Sequence, residues 1–221
     1  MQPTAPSSEI PGVDVARLDM PIGEAMFSQR SIRKFRPDPI RIEDLRLIIE
    51  AAVKAPNGGN TQPGRFLVLN DPQVVRQFGA LYREAWWAKR RDEQRPWTTR
   101  EQIPPEERGH RAAAQLADEI KDAPCIVLAL AVARGHANSV IPAAQNLMLA
   151  ARALGIGSVP TTLHAQVMDR VYALLGVPPE VEFHVCIPLG YPRGRFGPTQ
   201  RRPTAETTFL NRWGAPVPWA G

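Results

Sequence analysis

Arg30-Ser31-Ile32-Arg33 places two guanidinium groups and a hydroxyl within four residues, with Lys34 and Arg36 beside them. Arginine offers paired N–H donors in a fixed fork that matches a phosphate, and a serine adds one short hydrogen bond. The chemistry on offer is therefore anion binding. A solvated basic run at a helix end accounts for the same residues equally well. A second segment, Ala55-Pro56-Asn57-Gly58-Gly59-Asn60-Thr61-Gln62-Pro63, has two glycines that let the backbone approach a flat ligand. Asn60 and Gln62 can both donate and accept, as the edge of a heterocycle requires, although the segment alone is an ordinary turn.

Other reactive residue types fall into no chemical pattern. His110, His136, His164 and His184 have no triad or ligand spacing. His164 could face a substrate, but an isolated histidine more often serves structure. Cys125 and Cys186 lie in apolar segments far apart and read as buried, reduced thiols. No CxxC, HExxH or EF-hand loop points to metal, no GxGxxG follows a strand, and no P-loop signature occurs.

The elements that must position these residues come next. A chain of 221 residues with 43% hydrophobic and 22% charged residues suits one domain with a substantial core. Residues 1–19, rich in Pro, Ser and Ala, read as a flexible or surface-draped tail; residues 20–205 form the domain; residues 206–221 are an extension. A short helix over 21–28 leads into the basic segment, and Leu45, Ile48, Ile49, Ala52 and Val53 mark a second helix. Residues 66–69 are a strand, and a third helix over 73–90 carries Tyr82, Trp86 and Trp87. Residues 91–108, polar and broken by Pro96, Pro104 and Pro105, predict a mobile excursion, either a lid or a solvated insertion.

A helix over 111–121 precedes the continuous apolar run 125–130, a strand buried on both faces. Ser139 is placed to cap a nearly all-apolar helix that Gly155 stops. A short extended piece at 158–161 and a helix over 166–175 follow. In 181–189 every odd position is apolar, the pattern of a half-buried strand. Phe209, Trp213 and Trp219 then need a covering surface, from the same subunit or a partner. Helices and strands interleaved without regular βαβ spacing indicate the α+β class.

The net charge of +5 and basic pI permit an anionic partner. The basic residues come in short groups at 30–36, 89–91 and 193–202, which fits local anion sites better than a nucleic-acid groove. The longest apolar stretch, 124–133, is far shorter than the ~20 residues of a spanning helix. Glu9, Asp14 and Asp19 argue against a secretory signal, so a cytoplasmic protein without nucleic-acid or membrane partners is expected.

Arg30 to Phe35, as Arg-Ser-x-Arg-x-Phe after a first helix, resembles the opening motif of the FMN-dependent nitroreductase family. Ala55 to Pro63 resembles that family's Ala-Pro-Ser-x-x-Asn-x-Gln-Pro, and Leu154 to Ser158 its Leu-Gly-Ile-Gly-Ser. Gly190-Tyr191-Pro192 and Arg201-Arg202-Pro203 are similar to its late motifs. The ordered set implies an α+β sandwich, a central mostly antiparallel sheet flanked by helices, in an intertwined homodimer. FMN would lie between subunits, held by Arg30, Ser31, Ile32, Arg33 and Arg201 of one chain and by Pro56, Asn57, Gly59, Asn60 and Gln62 of the other. Pro160, Thr161 and Thr162 would flank the flavin where many members have Pro-x-Glu-Gly; the threonine pair is closer to the iodotyrosine deiodinase branch. Gly64 stands where tryptophan is frequent. The resemblance implies NAD(P)H-driven ping-pong reduction of small electron-poor acceptors such as nitroaromatics and quinones, with the flavin carrying the chemistry and no catalytic side chain required. Reductive dehalogenation, ring dehydrogenation and flavin destruction are the alternatives on the same fold, and nucleic-acid binding is the non-enzymatic one. Tyr82, Glu84 and Lys89 have the types of a deiodinase substrate clamp, without a matching alignment. Trp86, Trp87 and the excursion could wall a pocket, or simply pack.

Overall fold

The computed structural model describes residues 10–219; residues 1–9 of the expected tail and residues 220–221 of the extension lie outside the described residues. Four strands, β1 (Gly64–Leu69), β2 (Cys125–Ala131), β3 (Gly157–Ser158) and β4 (Glu182–Gly190), form one sheet in the order β1-β2-β4-β3. Every pairing is antiparallel. Six helices cover it: α1 (Ile22–Ser28), α2 (Ile42–Ala52), α3 (Pro72–Asp92), α4 (Arg108–Glu119), α5 (Ala137–Ala153) and α6 (Ala165–Leu175). The chain is α+β, as its sequence indicates.

Each face of the sheet buries its own core. Leu45 and Ile48 of α2 and Val140, Ala144 and Leu147 of α5 pack on Val127, Ala129 and Ile187. On the other face Phe78 and Tyr82 of α3, Leu116 of α4 and Val171 of α6 pack on Ile126, Leu128 and Cys186. The continuous apolar run of β2 is thus the strand buried on both sides. Among the described residues no helix is long and apolar enough to cross a membrane.

Three local expectations change. The alternation of β4 breaks at a bulge: Ala129 pairs with Val185 but Leu130 with Phe183, so His184 is skipped. Phe183 therefore packs on the α3 face, while Val185, Ile187 and Leu189 face α2 and α5. Ser139 is not the cap of α5, which starts at Ala137 with His136 before it. Its hydroxyl instead accepts the Gly58 N–H at 3.3 Å, tying the 55–63 loop to the helix.

The third change is the 91–108 segment, which is anchored rather than free. Trp97 and Ile103 are 7% and 0% exposed and join Tyr82, Trp86 and Trp87 in the core. Arg111 donates to the Ile103 carbonyl at 2.6 Å, and Arg95 stacks over Trp97. Burying a residue of either kind contributes about 1.5–3 kcal/mol, enough to hold a polar segment down at two points.

Residues 10–19 lie along α2. Arg17 and Arg41 both bind the carboxylate of Asp44, which is only 3% exposed. Burial pushes that carboxyl up, yet the two guanidinium groups together hold it below its ordinary range. Both cysteines are free and buried; burial pushes the Cys125 thiol up to about 12 and raises Cys186 as well, so both are inert thiols.

Candidate functional site

The basic segment is held against the sheet edge by two side chains that fill two glycines. A Cβ at Gly157 would lie 2.7 Å from Ile32 Cγ2, and one at Gly190 would lie 2.8 Å from Phe35 Cβ. Only glycine admits these side chains at strands β3 and β4. Backbone bonds complete the docking: Ile32 N–H donates to Ser158 at 2.9 Å, Arg36 N–H to Tyr191 at 2.8 Å, and Arg193 N–H to Lys34 at 3.0 Å. Three separate sequence motifs, around residues 30–35, 154–158 and 190–192, are thereby one physical joint.

With Ile32 and Phe35 turned inward, the residues between and before them turn out. Arg30, Ser31 and Arg33 line a cleft of about 670 Å³ together with Gln29, Gln145, Met148, Pro160 and the 198–201 segment that includes Arg201. No carboxylate lines it. Among the described residues, Arg30, Arg33 and Arg201 form no salt bridge. Burial, together with the charge of Arg30, pulls the Arg33 guanidinium below its ordinary value against the opposing pull of Tyr82, and it stays charged. Three cations thus face one cleft without a counter-ion among the described residues, a donor set suited in charge and geometry to an anion.

Ile32 contributes its backbone and its seat on Gly157, not a lining side chain. Gln145 and Met148 were not singled out from sequence. The polar pair Gln145-Asn146 interrupting the apolar α5 was the available signal.

The 55–63 loop lies elsewhere on the protomer. Asn57 and Gln62 line a pocket of about 170 Å³ with Gly64, Ser139 and Ala143, and this pocket shares no residue with the cleft. The loop is shaped by left-handed backbone at Gly59, Asn60 and Gln62, with φ of 57°, 54° and 50°. Asn57 Oδ1 accepts the Gln62 N–H at 2.9 Å, closing the turn. Asparagine adopts this region readily, whereas at Gln62 it carries a local backbone cost. Pro56 and Asn60 are exposed.

The threonine pair divides. Thr161 Oγ1 is 2.8 Å from the Tyr82 hydroxyl, and its backbone pairs with Cys186, so that hydroxyl is engaged with the core. Thr162 is exposed two residues after the cleft-lining Pro160, and does not itself line the cleft. Burial raises the Tyr82 phenol, so it stays a neutral partner. Thr161→Val leaves that phenol buried without a partner and should cost about 1–3 kcal/mol in a denaturant melt. Adding Tyr82→Phe should restore most of the loss; a double variant as unstable as the single would show that the pair is not coupled.

Other candidates are spent on structure. His164 accepts the Gln166 N–H as the cap of α6 and bonds Asp92 at 2.8 Å. Glu84 is paired with Arg170 at 2.6 Å, and Tyr82 with Thr161, so neither forms a free substrate clamp. No group of three or more His, Cys, Asp or Glu that could hold a metal occurs among the described residues.

The joint itself can be tested. Gly157→Ala drives a methyl into Ile32 and should cost about 1–3 kcal/mol of stability, while displacing Ser31 and Arg33 and weakening anion binding. Trimming Ile32 to Ala in the same protein should recover stability in the melt. No recovery would mean that the two residues do not compete for one space.

The profile of the Nitroreductase family matches residues 27–191. A Thermus thermophilus NADH dehydrogenase is 32% identical over 81% of this chain and 90% of its own. The iodotyrosine deiodinase of Thermotoga neapolitana is 27% identical over 74% of this chain and 84% of its own. A solved Desulfovibrio desulfuricans structure, described as a nitroreductase in complex with FMN, superposes with a TM-score of 0.62 at 26% identity, covering 88% of this chain and 98% of that one. The matched span opens at the helix before Arg30 and ends at Tyr191, taking in both glycine seats and the sheet they border, and the chain belongs to the nitroreductase family.

Proposed function

We propose that the cleft binds FMN and that the protein is an FMN-dependent oxidoreductase that uses NAD(P)H to reduce small electron-poor acceptors, nitroaromatics or quinones, in ping-pong order. The observation that carries this reading is the convergence of Arg30, Arg33 and Arg201 on a cleft of about 670 Å³ with no carboxylate in its lining. The volume is that of a cofactor pocket, and the donor set is that of a phosphate site.

Arg30, Ser31 and Arg201 would hold the phosphate. Arg33, more enclosed, would sit at the ring edge that gains negative charge, where a partly desolvated cation acts more strongly than one in water. When bound, FMN supplies the reversible acceptance of two electrons. Thr162, with Pro160, would meet the flavin from β3's side, and Thr161 would act through its bond to Tyr82. Pro56, Asn57, Gly59, Asn60 and Gln62 would come from a second subunit, which makes the working unit a homodimer. Cytoplasmic activity on small molecules, without nucleic-acid or membrane partners, completes the reading.

The purified protein should be yellow and should bleach on anaerobic addition of NADPH or NADH. A colourless protein that takes up no FMN on incubation would sink the proposal. The likeness to a deiodinase and the threonine pair favour reductive dehalogenation as the second reading. Turnover of a halogenated phenol with release of halide, and none of a nitroaromatic, would select it.

A further inference from the structure

Arg152 lies outside the cleft, in the last turn of α5, but touches the elements that carry both of its walls. Its Nε donates to Ser28 Oγ at 2.8 Å, in the residue that ends α1 and stands directly before Gln29 and Arg30. The same guanidinium stacks over the ring of Phe196 at 4.2 Å, just before the 198–201 segment that forms the opposite wall. Its Nη2 reaches Glu24 at 3.5 Å, and only 11% of its side chain is exposed.

The neighbouring contacts make this more than a cation at a helix end. Met148, one turn earlier on the same face of α5, accepts from Gln29 Nε2 at 3.8 Å, so two successive residues of the α1 end are tied to two successive turns of α5. Ser28 Oγ also donates to the Glu24 carbonyl at 2.6 Å, so the hydroxyl that Arg152 grips is itself fixed. Across the gap, Gly197 is so close that a Cβ there would lie 3.9 Å from Arg30 Nη1.

We propose that Arg152 is a positioning residue that clamps the α1 end to the Phe196 segment and so sets the separation of Arg30 and Arg201 across the cleft. The proposal rests on the FMN reading above for its ligand, while its geometry does not. The guanidinium serves two sides at once, and charge alone would not: a lysine ammonium can lie over Phe196 but cannot at the same time fork between Ser28 and Glu24.

The test titrates flavin-free protein with FMN by fluorescence. Arg152→Met should weaken FMN binding by about tenfold, Arg152→Lys should recover little of that, and Phe196→Leu should reproduce the loss without adding to Arg152→Met. Unchanged affinity in Arg152→Met, or full recovery in Arg152→Lys, overturns the clamp. Trypsin gives a readout that needs no flavin: cleavage after Arg195 and after Arg201 should quicken in flavin-free Arg152→Met, with circular dichroism showing both proteins folded. Equal cleavage rates overturn the clamp as well. Wild-type protein that binds no FMN defeats the functional reading, and the trypsin comparison then still decides the clamp.

Discussion

Replacing Arg30 and Arg201 together with glutamine lowers the affinity for FMN by about 10³-fold while leaving the fold intact. Each guanidinium stands to give a charge-assisted hydrogen bond to phosphate, worth about 1.5–3 kcal/mol, or roughly 10- to 100-fold in binding. Both residues are exposed, and Arg30 has no hydrogen bond among the described residues, so their removal takes nothing from the core. Arg201 spends one donor only on the neighbouring Gln200 carbonyl. Riboflavin, which lacks the phosphate, supplies the control. Its binding should change by less than about threefold in the same variant, since the lost interactions are with the phosphate. An equal loss for FMN and riboflavin would mean that these arginines act on the ring or on the fold, and the assignment of the phosphate end would fall. Arg33→Gln should separate from this pair, because a cation at the ring edge changes the reduction potential of bound flavin as well as its affinity.

The cluster of cations at the cleft was legible in the sequence because it is local: two arginines and a serine in four residues need no tertiary knowledge to suggest an anion. The reason the motif recurs with the later glycine motifs was not legible. Ile32 and Phe35 look like ordinary apolar spacers, and only the fold shows that they occupy the space of the absent side chains at Gly157 and Gly190. The helices and strands fell close to their periodic patterns, since each has a clear apolar face. The failures occurred where a tertiary contact overrode a local rule. Trp97 and Ile103 are two apolar residues in a charged, proline-broken stretch, and two anchors give no periodicity to detect. The bulge at His184 reverses the facing of Phe183 without changing the composition of the strand. Thr161 and Thr162 are identical in sequence, and only Tyr82, reaching from α3, tells the engaged hydroxyl from the exposed one.

If the proposed homodimer is built on the exposed face of α1, introducing charge there, as Met26→Glu with Phe27→Asp, should dissociate it and abolish FMN retention although every arginine of the cleft remains. Phe27 is 78% exposed and Met26 and Ile22 more than half, an apolar surface that a monomer has no reason to display. On α5, Ile141 is also exposed, and that helix runs from the pocket of the 55–63 loop at Ser139 and Ala143 to the cleft at Gln145 and Met148. A second copy laid on this face would bring its own loop toward the first copy's cleft, which is what a site in two halves requires. A two-fold interface uses each residue twice. Losing a buried Phe and Met from both copies at about 1.5–3 kcal/mol each, and burying charge in their place, is enough to weaken association by well over 10³-fold. Sedimentation at micromolar protein should show a monomer that circular dichroism reports as folded, and gel filtration with FMN should strip the flavin from it. A folded monomer that keeps FMN at wild-type affinity would show that one chain completes the site, and the left-handed turn at Asn60 and Gln62 would then need another purpose. A variant that still sediments as the wild type would instead place the interface elsewhere, while leaving the phosphate end untouched. The two results separate because the arginines and the loop line separate pockets of the same protomer, each reached by a different part of α5.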